Sequence, residues 1–143
     1  MAISSFDLEK QAVLKLKNFS LAFGVQLFKA LGDESRLRIL NVLFHKGELS
    51  ITDLELIMDF TQTKTARLVG LLKNASLIQS RRIDHWVFYK VKEEASELLG
   101  TLLEFMERES PFQSDLSNCD ALSTNRELSI NKLAMKQYKP DLS

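Results

Sequence analysis

The chain has 143 residues, 45% of them hydrophobic, with one cysteine and a formal net charge of zero. That length suits one domain with a real core, and no apolar run is long enough to span a bilayer. The lone cysteine excludes an intramolecular disulfide and fits a reducing compartment; Met1-Ala2-Ile3-Ser4-Ser5-Phe6-Asp7 lacks the basic start and apolar block of a signal peptide, so the expected location is cytoplasmic.

Residues 5–18 read as a helix. Ser4 and Asp7 have capping-box spacing, and Leu8, Val13, Leu14 and Leu16 make a loose apolar stripe. Asn18-Phe19-Ser20 interrupts it before Leu21–Leu31, where Phe23, Leu27, Phe28 and Leu31 continue; two helices and one bent helix both satisfy the pattern. Gly32 ends this segment and Asp33 caps the next helix, which is expected to bury Leu37, Leu40, Leu43 and Phe44. Its last turn carries His45 and Lys46, and Gly47 suits its C-cap. Arg38 reads as a surface side chain, and Arg36 is open between phosphate contact and pairing with an acid.

Ser50-Ile51-Thr52-Asp53 has capping-box form, followed by Ile51, Leu54, Ile57 and Met58 at helical spacing. Asp59-Phe60-Thr61 makes a short turn with Thr61 as the next N-cap. The helix after it is expected to bury Leu68, Leu71, Leu72 and Ala75 and to show Gln62, Thr63, Lys64, Arg67, Lys73 and Asn74. Helix, turn, helix is the layout that places its second helix in a DNA major groove. Ile78 to Val91 then reads as a β-hairpin, with Val87, Tyr89 and Val91 on one face and Arg81 and Arg82 before the turn. A basic hairpin after a helix-turn-helix is a winged helix.

Glu93 to Glu109 reads as a helix with the stripe Leu98, Leu99, Leu102, Leu103 and Met106, stopped by Pro111. Beyond it, a short helix near 113–123 and a weak one bearing Leu128, Ile130, Leu133 and Met135 are expected, with a frayed end from Tyr138. The expected organisation is a winged helix-turn-helix domain over 1–110 and a partly helical extension over 111–143.

Residues 20 to 109 resemble the ArsR/SmtB-type bacterial repressors. The likeness runs in order through Leu27-Phe28-Lys29-Ala30-Leu31-Gly32-Asp33-Glu34-Ser35-Arg36-Leu37-Arg38-Ile39-Leu40, Glu48-Leu49-Ser50-Ile51-Thr52-Asp53-Leu54, Thr61-Gln62-Thr63-Lys64-Thr65-Ala66-Arg67, and Arg81-Arg82 through Trp86-Val87-Phe88-Tyr89. The resemblance implies a mainly α fold with a β-hairpin and with N- and C-terminal helices that dimerise. It implies a homodimeric transcriptional regulator, a repressor by family habit, with two recognition helices meeting an inverted repeat of half-sites about 10 bp apart or a multiple. The chain departs from the family pattern at Leu68, where a polar residue is frequent, at Ser76, where glycine is frequent, and in Ile83-Asp84-His85, a wing turn without glycine.

Charge agrees with a DNA partner once it is resolved along the chain. Residues 61–92 hold seven basic side chains, Lys64, Arg67, Lys73, Arg81, Arg82, Lys90 and Lys92, against Asp84 alone. Residues 93–109 hold six glutamates against Arg108. A clustered basic surface is the footprint that double-stranded DNA selects. The expected DNA-binding set is Gln62, Thr63, Lys64 and Arg67 in the groove, Lys73 beside them, and Arg81 and Arg82 on the wing. Trp86 and Tyr89 read as packing residues.

Metal-sensing relatives carry cysteines at the start of the first helix of the motif, or carboxylate and histidine ligands on the C-terminal helix. Here Ser50-Ile51-Thr52 has no thiol and the C-terminal helix no histidine, so no metal is expected. Cys119 could pair across a dimer or sit as a small hydrophobe. No glycine-rich phosphate loop, HExxH or GxSxG is present, so neither an enzyme nor a bound cofactor is expected. A small-molecule effector could bind between the terminal helices and the extension. The competing class is a winged-helix protein-interaction module with no specific DNA target.

Overall fold

The computed structural model describes residues 19–137. The helix expected over 5–18 and the chain end from Tyr138 lie outside the described residues. The described elements run α1 (Leu21–Leu31), α2 (Glu34–Lys46), β1 (Leu49–Ser50), α3 (Ile51–Met58), α4 (Gln62–Asn74), β2 (Ile78–Ile83), β3 (Trp86–Val91), α5 (Glu93–Glu104), α6 (Ser110–Thr124) and α7 (Ser129–Gln137).

Local chemistry sets the helix ends. The Ser20 hydroxyl accepts the Phe23 N–H and starts α1. The Asp33 carboxylate accepts the Arg36 N–H and starts α2, which closes on Gly47 at φ 81°. Ser50 and Asp53 form the expected reciprocal box: the Ser50 hydroxyl accepts the Asp53 N–H at 3.1 Å, and the Asp53 carboxylate accepts the Ser50 N–H at 2.9 Å. Asp59, at φ 55°, ends α3. Ser76, where the family favours glycine, takes φ 63° and ends α4 in the left-handed turn itself.

Helix α2 is the centre of the core. Ile39, Leu40, Val42 and Leu43 are buried, with Leu54, Ile57, Leu68, Leu72, Leu77 and Leu99 around them. The sheet is antiparallel in the order β1-β3-β2. Its central strand β3 receives α2 and α3, so Phe88 is its buried anchor while Val87, Tyr89 and Val91 on the other face are only half-buried. The alternation expected for Val87, Tyr89 and Val91 is present, and the more deeply buried face is the one that carries Phe88. Ile83 opposes Trp86, which leaves Asp84 and His85 as a tight two-residue turn; Asp84 supplies the positive φ, 55°, that glycine commonly provides.

Two further expectations change. Helix α5 stops at Glu104 rather than Glu109, and Pro111 opens α6 instead of closing α5. Proline lacks only an N–H that a first helical turn leaves unused, so it starts helices as readily as it ends them. Leu71, expected in the core, is exposed; Thr65, Leu68, Val69 and Leu72 supply the buried side of α4.

The described residues beyond 110 pack on the winged core. Phe112, Cys119, Leu128 and Leu133 are buried. Asp115, 1% exposed, accepts both arms of the Arg38 guanidinium at 2.8 Å each, so Arg38 is a half-buried ion-pair partner, not a surface side chain. That pairing holds Arg38 above its usual pKa. Asn118 donates to the Ile57 carbonyl at 3.2 Å. The second oxygen of Asp53 accepts the Ser129 N–H at 2.7 Å, and the Ser129 and Ser50 hydroxyls share a 2.7 Å hydrogen bond. One buried carboxylate therefore serves the starts of both α3 and α7. Burial pushes the Cys119 thiol up, which suits a small hydrophobe and not a reactive thiolate.

Candidate nucleic-acid interface

The start of α4 is built to project side chains. The Thr61 hydroxyl accepts the Lys64 N–H at 3.2 Å, and the buried Thr65 hydroxyl donates to the Thr61 carbonyl at 2.8 Å. The first turn is thus closed from within, and Gln62 and Thr63 stand exposed, with Arg67 one turn further on the same exposed side. Lys64 differs from its neighbours. Its ammonium lies over the Phe60 ring at 3.9 Å, with the Arg38 guanidinium over the same ring at 5.2 Å. Leu68, where the family often has a polar residue, is buried, so the polar surface of α4 is interrupted there by a core residue.

The hairpin separates its two arginines. Neighbouring residues on a strand point to opposite faces. Arg82 shares a face with Ser80, whose hydroxyl accepts from the Lys73 ammonium at 2.9 Å, so Lys73 ties α4 to the hairpin on the side where Arg82 stands. Arg81 lies on the other face, in a two-pronged ion pair with Glu48 at 2.6 Å per arm, and Glu48 raises its pKa. At the wing tip, Asp84 pairs with Lys136 of α7 at 3.3 Å, and the His85 ring lies 4.0 Å from that of Trp86.

Gln62, Thr63, Lys64 and Arg67 are therefore brought together. Lys73 and Arg82 share the neighbouring hairpin face, and Arg81 is diverted to Glu48. Sequence reasoning missed Glu48, Phe60 and Lys136. Glu48 and Arg81 are 33 residues apart, Lys136 and Asp84 are 52 apart, and no local pattern signals such pairs. Phe60, between two cations in a short turn, could have been found from its neighbour Lys64. Among the described residues, no group of three or more His, Cys, Asp or Glu is placed to hold a metal, and no helix is long and apolar enough to cross a membrane.

No protein-family model matches the chain. It is 39% identical over 72 residues to an arsenical resistance operon repressor of Escherichia coli (strain K12), covering 50% of this chain and 62% of that protein. It is 33% identical over 86 residues to the cadmium resistance transcriptional regulatory protein CadC of Listeria innocua, covering 60% of this chain and 72% of that one. For the Escherichia coli repressor and the Pseudomonas putida regulator ArsR1 the matched part is about three fifths of their length, 62% and 61%. Among solved structures, HlyU from Vibrio cholerae N16961 superposes with a TM-score of 0.56 at 27% identity, over 62% of this chain and 97% of that chain. The homodimeric winged helix-turn-helix DNA-binding domain of Mb0332 from Mycobacterium bovis, described as a possible ArsR-family regulator, gives 0.57 at 21% identity. It covers 77% of this chain and 94% of that one, a likeness of fold alone.

Proposed function

Because the chain belongs to the ArsR family of winged helix-turn-helix regulators, we propose that it is a sequence-specific DNA-binding repressor acting as a homodimer on an inverted-repeat operator. The observation that carries this reading is the exposed start of α4. Gln62, Thr63 and Arg67 project from a turn that Thr61 and Thr65 close internally, so these polar groups have no task in the core. Arginine donates to guanine and glutamine pairs with adenine in the major groove, while Lys64, Lys73 and Arg82 supply charge to adjacent phosphates. Division of labour follows chain order: residues 1–110 bind DNA and dimerise, and 111–143 form an extension whose described part packs on the winged core.

Dimerisation is supported by apolar surface left exposed among the described residues. Leu21, Val25 and Phe28 recur at i, i+4 and i+7 along α1 and are 87%, 46% and 68% exposed. Phe105, after α5, is 84% exposed.

The relatives are named for arsenic and cadmium resistance. This protein is proposed to be indifferent to metals, because Ser50 and Thr52 at the start of α3 offer no thiolate and Cys119 is buried elsewhere. The test is binding to DNA from the chain's own upstream region, titrated with salt, with and without zinc, cadmium and arsenite. Tight, salt-steep binding that ignores all three supports the whole reading. Metal-driven release would remove the metal-indifferent part, and no binding even at low salt would favour a protein-interaction module.

The Glu48–Arg81 pair gives a second test. Glu48→Gln removes the acid that holds Arg81 against β1 and frees Arg81, so DNA affinity should rise by about twofold to tenfold for each added phosphate contact, one per protomer, near physiological salt. Unchanged affinity in a filter-binding or anisotropy titration would take Arg81 off the interface.

A further inference from the structure

Helix α7 lies beside the wing, and nothing in the winged-helix core calls for it. Its first turn is fixed: the Ser129 N–H is held by Asp53 at 2.7 Å, the Ser129 hydroxyl by Ser50 at 2.7 Å, and Leu128 and Leu133 are buried beneath it. Its outer side is basic. Lys132 and Lys136 are exposed and stand four residues apart, hence on one helical face. Lys136 reaches the wing tip, 3.3 Å from the Asp84 carboxylate. That contact brings the C-terminal end of the row to the hairpin turn, with Lys132 one helical turn before it on the same exposed face. Lys136 also neutralises Asp84, the single acid between residues 61 and 92, which would otherwise repel a phosphate at the wing tip.

We propose that α7 is a second basic arm of the DNA interface, in which Lys132 and Lys136 contact backbone phosphates flanking the half-site beyond the wing tip. This rests on the DNA-binding reading above and adds a contact that the helix-turn-helix and wing do not supply. Because α7 is docked through Asp53, the arm is held in place before DNA arrives and loses little freedom on binding. Phosphate contacts carry affinity and register without base preference, so the arm lengthens the protected site without changing which bases are read.

The experiment is a salt titration of DNA binding by the full chain, using upstream DNA and a mixed-sequence duplex long enough for two half-sites. Each phosphate neutralised contributes about 0.9 to the log–log salt slope, so a dimer of the Lys132→Ala/Lys136→Ala variant should lose roughly 2 to 4 units of slope on both duplexes. Its affinity at fixed moderate salt should fall at least about tenfold. Arg108→Ala, which removes a cation outside the proposed face, should leave the slope unchanged. Lys136→Ala made in an Asp84→Asn background should still lower the slope; if it does not, Lys136 only neutralises the acid and the proposal falls. Equal slopes for wild type and the double variant overturn it, as does an equal loss from Arg108→Ala, which would report net charge alone. A wild-type chain that binds no DNA overturns the DNA-binding reading itself, a result distinct from normal binding by both wild type and variant.

Discussion

Asp53→Ala should lower the stability of the protein by about 3 kcal/mol, which for a chain of this size moves the thermal midpoint down by roughly 10 °C. The carboxylate is fully buried and accepts two backbone N–H groups, Ser50 at 2.9 Å and Ser129 at 2.7 Å. Alanine leaves both donors buried without an acceptor, and each such loss costs about 1–3 kcal/mol. An N-cap alone is worth about 1 kcal/mol, so Thr61→Ala, which removes the cap of α4 at a solvent-exposed site, is the calibrating comparison. Urea denaturation of both variants checks it. If Asp53→Ala costs no more than Thr61→Ala, the carboxylate is an ordinary helix cap and does not join α7 to the core.

Arg67→Ala should weaken operator binding by about 1–3 kcal/mol, roughly five- to 150-fold, while leaving stability within about 0.5 kcal/mol. Arg67 is exposed and has no ion-pair or hydrogen-bond partner among the described residues, so its removal disturbs no folded contact. The form of the loss identifies its role. If Arg67 reads a base, discrimination at one operator position collapses; if it touches a phosphate, all sequences weaken together and the salt slope falls by about one per contact. Unaltered binding to operator and non-operator DNA would exclude Arg67 from the interface.

What could be read from the sequence was whatever local chemistry decides. The Ser50–Asp53 box, the Thr61 cap, the Asp33 start, the Gly47 stop and the hairpin all span a few residues, and each forms as its spacing predicts. The failures are of two kinds. Some residues have two local meanings: Pro111 fits a helix stop and a helix start, and Leu71 fits the stripe of α4 by spacing yet falls on its wet side. Other features are long-range. Arg38 with Asp115, Arg81 with Glu48 and Lys136 with Asp84 join residues that no periodicity connects. The proposed interface was therefore legible as a set of side chains on α4, but which wing arginine is free depended on Glu48, which a scan for basic residues passes over.

The buried carboxylate also bears on how the molecule is made. Arg38 waits for Asp115, 77 residues downstream, and Asp53 waits for Ser129, 76 residues downstream. At roughly 5–20 residues per second, a ribosome takes about 4 to 15 seconds to cover that distance. By the time that later stretch itself emerges, all strands and helices of the winged helix have left the exit tunnel, with a guanidinium and a carboxylate facing the site that α6 and α7 will occupy. Those charges stay hydrated until the extension arrives, so closing the core is a late step that expels their water. A half-made chain thus keeps an open, wet seam along α2 and α3 until α6 and α7 emerge to seal it.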